Sequence, residues 1–109
     1  MSKVIRDGKV AVFVSAGYGA GWSTWLTASN VDGQDFMLYG DERMVELVES
    51  KHYTEAEKYT RSVVGKNEYL GGIDGLYVEW VDEGTRFYID EYDGAETLVT
   101  IDTIKWNVA

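Results

Sequence analysis

The sequence predicts an α+β domain in which one mainly antiparallel or mixed sheet of about five or six strands carries two short helices. Three observations predict it. An almost unbroken apolar run near the start reads as a covered central strand, two amphipathic stretches in the middle carry helix-start signals, and the last third alternates between turn dipeptides and apolar residues at period two. One domain spanning 1–109 follows from the length, because two domains of half this size would bury too little surface to hold without crosslinks.

In order along the chain, Val4-Ile5-Arg6 and Lys9 to Val14 flank Asp7-Gly8, a pair suited to a tight hairpin turn. Gly17-Tyr18-Gly19-Ala20-Gly21 then interrupts regular structure. From Trp22 to Phe36 the signals conflict: Trp22, Trp25 and Leu26 have helical spacing, whereas Asn30, Asp32 and Gly33 read as turn. Asp41 suits the N-cap of a helix over Glu42 to Ser50, with Met44, Val45, Leu47 and Val48 as its buried stripe. Thr54-Glu55-Ala56-Glu57 reads as a capping box opening a second helix, with Ala56, Tyr59 and Val63 inward and Gly65 as the stop. Three strands follow as a meander over 76–81, 86–91 and 97–101, turning at Glu83-Gly84 and Asp93-Gly94, and Ile104, Trp106 and Val108 suggest a last strand.

Composition narrows the function. With no cysteine, disulfides, zinc-thiolate sites and thiol catalysis are excluded, and a reducing compartment is expected. No apolar run reaches the roughly 18 residues that span a bilayer, and Met1 to Gly8 lacks signal-peptide architecture, so the expectation is a cytoplasmic protein without a membrane partner. Net charge is −9, and it is concentrated: residues 1–70 sum to −2 and residues 71–109 to −7. That field repels nucleic acid directly and suits a basic protein surface, although solubility alone accounts for many acidic chains. Four Trp and eight Tyr supply aromatic anchors for an interface.

Three constellations bear on chemistry. Gly17, Gly19 and Gly21 follow a buried strand, where backbone N–H groups can cradle phosphate. The spacing is neither Gly-x-Gly-x-x-Gly nor a P-loop, and no Lys or Arg lies between Lys9 and Arg43. A loop whose glycines let Tyr18, Trp22 and Trp25 pack is the plainer reading. The acidic turn Asp90-Glu91-Tyr92-Asp93-Gly94-Ala95-Glu96 fails as an EF-hand loop, because aligning Gly94 with the invariant glycine puts Ile89 at the first ligand position. A solvated hairpin tip, or a contact for a basic partner, is expected in place of a metal site. For catalysis, His52 is the only histidine and lies between the helices, and Gly-Trp-Ser-Thr-Trp is not a nucleophile elbow. No cofactor and no catalytic residue are assigned.

Two stretches taken together, Val12 to Trp25 and Val78 to Glu96, resemble small uncharacterised proteins encoded by bacteriophages and prophages. These pair a Gly-Ala-Gly-Trp loop with a later Phe-x-Ile-x-Glu-Tyr-Asp-Gly hairpin, here Gly19 to Trp22 and Phe87 to Gly94. The resemblance transfers context, not a site: it implies an infected bacterial cytoplasm, where small acidic proteins often block host machinery or defence. Juxtaposition of the stretches would set strand 9–14 beside 86–91 in one sheet and place the glycine loop and the Asp93-Gly94 turn on one surface.

The resulting expectation is a non-catalytic protein that inhibits a host protein through an acidic, aromatic surface comprising Tyr18, Trp22, Trp25, Tyr88, Asp90, Glu91, Tyr92, Asp93 and Glu96. One alternative is a small-ligand binder that sequesters a nucleotide signal. Trp22 or Trp25 would stack on its base, and a homo-oligomer would supply Arg43, Arg61 or Arg86 for phosphate. A virion or assembly component is a further alternative, and an enzyme ranks last.

Overall fold

A computed structural model describes residues 3–17, 21–25, 31–65, 70–101 and 107–109. The first hairpin forms as the sequence predicts. β1 (Ile5–Arg6) and β2 (Lys9–Ser15) are antiparallel, and Asp7 and Gly8 both take positive φ, 51° and 77°, the geometry a two-residue primed turn demands. β3 (Leu76–Asp82) pairs along the whole of β2, from Lys9↔Asp82 to Ser15↔Leu76, so β2 is central in the order β1-β2-β3.

Both faces of β2 are covered, as its continuous apolar run requires. Ala11 and Phe13 join Met44, Val45, Val48 and Ala56 in the main core, beneath α2 (Glu42–Glu49) and α3 (Tyr53–Val64). Val12 and Val14 face the other way and pack with Val81, Leu38, Tyr39, Phe87, Ile89 and Leu98. Phe87, Ile89 and Leu98 come from a second antiparallel hairpin, β4 (Phe87–Tyr92) and β5 (Ala95–Thr100), whose Asp93-Gly94 turn repeats the positive φ pair at 52° and 87°. The chain is thus layered as helices, a three-stranded sheet and a two-stranded hairpin.

The α+β class holds, and the sheet is divided. β4 does not sit beside β2 in a common sheet; it belongs to a separate two-stranded sheet, with β5, that packs on the Val12 and Val14 face of β2. The reason is burial. Val12 and Val14 need a cover, and Phe87, Ile89 and Leu98 supply it only if the chain leaves the first sheet after β3. It does so at a corner in which Gly84 has φ 87° and the Thr85 N–H donates to the Asp82 carbonyl at 3.0 Å.

The helices need three amendments. A helix not anticipated from the conflicting 22–36 signals, α1 (Val31–Tyr39), runs through Asp32-Gly33; it places Phe36 and Met37 in the main core and Leu38 and Tyr39 in the second cluster. Packing of these side chains into both clusters outweighs the local turn preference of Asp32 and Gly33. Gly40 ends it with φ 63°, and a Cβ there would lie 2.1 Å from the Phe13 ring, so no other residue fits. Asp41 caps α2 as expected, accepting from the Met44 N–H at 2.9 Å. In contrast, α3 begins at Tyr53, so Thr54 lies inside its first turn and the capping box is not formed; His52 holds the N-cap position without a side-chain cap bond. The link from α2 is too short to leave Thr54 extended: the His52 N–H already donates to Leu47 O and its carbonyl accepts from Ala56 N–H, both at 2.9 Å. Ala56 and Thr60 are buried, whereas Val63 is 43 % exposed and does not point inward as expected; Gly65 stops the helix at φ 119°. Residues 102–106, which include most of the anticipated last strand, lie outside the described residues, and Asn107 to Ala109 form no strand.

Candidate functional site

The two sequence stretches that stood out do meet, through one side chain. Glu96 on β5 is 3 % exposed, although it is charged and sits two residues past the Asp93-Gly94 turn. One carboxylate oxygen accepts from the Ser15 N–H at 3.0 Å at the end of β2. The other accepts from the Trp22 N–H at 2.9 Å, the Thr24 N–H at 3.1 Å and the Thr24 hydroxyl at 2.6 Å. Those donors open a 3₁₀ turn (Ser23–Trp25), so Glu96 acts as a remote cap on it. Ser15 Oγ donates to the Gly72 carbonyl at 3.1 Å, and Gly72 packs so closely that a Cβ would stand 2.4 Å from the Gly21 carbonyl oxygen. The node joins β2, the glycine segment, β5 and a second 3₁₀ turn (Gly71–Gly75).

This node removes three expected contact residues from the surface. Glu96 is spent on internal donors, Gly21 is buried, and Trp22 is fully enclosed in the main core, with its indole N–H unpartnered among the described residues. A base cannot stack on Trp22 in this conformation. Gly17 is exposed; Trp25 lies in the 3₁₀ turn; Tyr18 and Gly19 lie outside the described residues. The burial of Glu96 had a signal in the sequence: it shares the inward parity of Leu98 on an alternating strand.

Of the remaining expected residues, Tyr88, Asp90 and Tyr92 share one face of β4, whereas Glu91, in register with buried Glu96, has the opposite parity and lies beside the turn. On β4, inward Phe87 and Ile89 alternate with outward Tyr88, Asp90 and Tyr92. Tyr88 is 54 % and Tyr92 74 % exposed, and Asp90, Glu91 and Asp93 are exposed beside them. Opposite Tyr88 in register lies Val99, which with Tyr88 and the 53 % exposed Ile101 lines a shallow depression of about 170 Å³. The turn is held by Glu91, which accepts from the Gly94 N–H at 3.1 Å. Near this hairpin, burial pushes the Tyr77 phenol up to about 12, assisted by its hydrogen bond to Glu79 and by the charges of Glu79 and Glu96.

For other chemistries there is little. His52 is exposed with Nδ1 2.6 Å from Ser50 Oγ, and no group of three His, Asp or Glu residues among the described residues is arranged to hold a metal. No described helix is long and apolar enough to cross a membrane. No family model, curated protein or solved structure matches this chain.

Proposed function

We propose that this is a non-catalytic binding protein that uses the outward face and tip of the β4–β5 hairpin to cover a basic surface on a host protein. The observation that carries the reading is the pattern on β4: two largely exposed tyrosines, Tyr88 and Tyr92, bracket Asp90, with Glu91 and Asp93 adjacent. Tyrosine gives broad contact area at low side-chain entropy, and carboxylates beside it reward a cationic partner and penalise an anionic one. The hairpin's inward face packs on Val12 and Val14, while Tyr88 and Tyr92 on its outward face stand exposed. The resemblance to phage-encoded proteins supports a bacterial protein as the target, with blockade of its basic surface as the consequence.

The test passes bacterial lysate over the immobilised chain, a Tyr88→Ala/Tyr92→Ala chain and a chain with Glu42 and Glu46 of α2 reversed to Lys. The reading expects a basic protein retained by the wild type and by the α2 variant, lost from the tyrosine variant, and released as salt is raised. Retention that survives the tyrosine substitutions would refute it.

A further inference from the structure

A second cavity adjoins the hairpin's outward face, and Arg86 and Tyr88 line both it and the depression there. It is a groove of about 590 Å³ between the end of α1 and the start of β4, within the roughly 300 to 1,000 Å³ typical of small-molecule sites. Its apolar walls include Val10, Leu38, Val81 and Ile89. Two cations line it as well, Lys3 and Arg86, in a chain whose acids outnumber its bases 19 to 10.

These cations are placed in an unusual way for so acidic a chain. Lys3 Nζ sits 4.6 Å from the centre of the Tyr39 ring, which is itself held edge-on against Phe87, with centroids 6.4 Å apart at 89°. The ammonium is thereby positioned by an aromatic face and not by a carboxylate. Arg86 has no ion-pair partner among the described residues. The one acid lining the groove, Asp82, has Lys9 Nζ at 3.9 Å, so the groove keeps a positive balance. Carboxylates are abundant elsewhere on the surface, yet among the described residues neither cation has one within ion-pair distance.

We propose that this groove binds a small organic anion, with a flat apolar body lying on the groove's aliphatic wall and its acid group held between Lys3 and Arg86. Carboxylate and phosphate monoester share the required chemistry, and Arg86 favours either through paired N–H donors. The site adjoins the tyrosine-bearing face, since Tyr88 lines both, yet its ligand is of opposite preference: an anion here, a cationic surface there.

The probes are naphthoate, naphthyl phosphate and the neutral naphthalenemethanol, titrated into the labelled full chain and followed by amide and side-chain NMR shifts. Saturable shifts centred on Leu38, Tyr39, Val81 and Ile89 are expected with both anions, and the stronger of the two names the acid group. Arg86→Gln and Lys3→Gln each weaken the anions by about tenfold, the usual effect of losing one charge-assisted contact, and leave the neutral compound unchanged. Arg43→Gln, on α2 and outside the groove, leaves all three unchanged. Equal binding of the neutral compound, shifts centred elsewhere, or indifference to Arg86→Gln in a chain with wild-type near-UV dichroism would overturn the proposal.

Discussion

Substituting Glu96 tests how the glycine segment is held. In Glu96→Ala the carboxylate that accepts from Ser15 N–H, Trp22 N–H, Thr24 N–H and Thr24 Oγ1 is gone. The Thr24 groups are partly accessible and regain water. The Ser15 and Trp22 donors are buried, and each costs about 1 to 3 kcal/mol when left unmatched. Relief from burying a charge offsets part of this, so a net loss of about 2 to 4 kcal/mol is expected. Glu96→Gln separates hydrogen bonding from shape. Its single carbonyl oxygen can take the position that serves Trp22 and Thr24, but its NH₂ group then meets the Ser15 N–H donor to donor, for a loss of about 2 kcal/mol. Urea unfolding gives the magnitudes, and amide exchange at Ser15, Trp22 and Thr24 gives the location. A Glu96→Gln chain within about 0.5 kcal/mol of wild type, the range of ordinary surface changes, would refute the assignment of this side chain as the internal tie.

Three further predictions concern the framework. Gly40→Ala combines a left-handed φ of 63° with a Cβ 2.1 Å from Phe13, and a loss of about 2 to 4 kcal/mol in chemical denaturation is expected. Asp41→Ala removes the cap on Met44 N–H and the acceptor of the Tyr59 hydroxyl, which should cost about 1 to 2 kcal/mol and return the Tyr59 phenol, now raised chiefly by that hydrogen bond, toward its ordinary value in a spectrophotometric titration. The Tyr77 phenol, pushed up to about 12 in the folded chain, keeps its proton where the unfolded chain has begun to lose it, so stability holds level below its ordinary value of 10.0 and falls between there and about 12. Tyr77→Phe should flatten that decline, as read by unfolding midpoints across the alkaline range.

Local chemistry made part of this fold legible. Asp7-Gly8 and Asp93-Gly94 dictate positive φ at two adjacent residues, Asp41 announces a cap, and the run Val10 to Val14 cannot be anything but covered on both faces. What escaped prediction depends on contacts far apart in the chain. Nothing near Glu83-Gly84 says that the β4–β5 hairpin will pack over Val12 and Val14 instead of continuing the first sheet. The helix through Asp32-Gly33 exists because Phe36 and Met37 find a core, which local propensity does not record.

The candidate surface divides along the same line. Tyr88, Asp90 and Tyr92 alternate with Phe87 and Ile89, so period two alone places them outward. Trp22 and Glu96 look like surface candidates by residue type and neighbourhood, and both are internal because they are each needed at the node of Ser15, Gly21 and Gly72. The cations of the groove, Lys3 and Arg86, are far apart in sequence and without a motif, and only the packing of Tyr39 on Phe87 brings them to one cavity.

Under the proposed function, the outward face of the β4–β5 hairpin meets the partner. A photocrosslinking phenylalanine analogue at Tyr92, with the same analogue at Glu42 on α2 as control, tests this inside bacterial cells. A discrete adduct formed from position 92, absent from position 42 and lost when Asp90 and Asp93 are changed to Lys, is the predicted result. An adduct formed from position 42 and not from position 92, or one indifferent to the two aspartates, would contradict the claim.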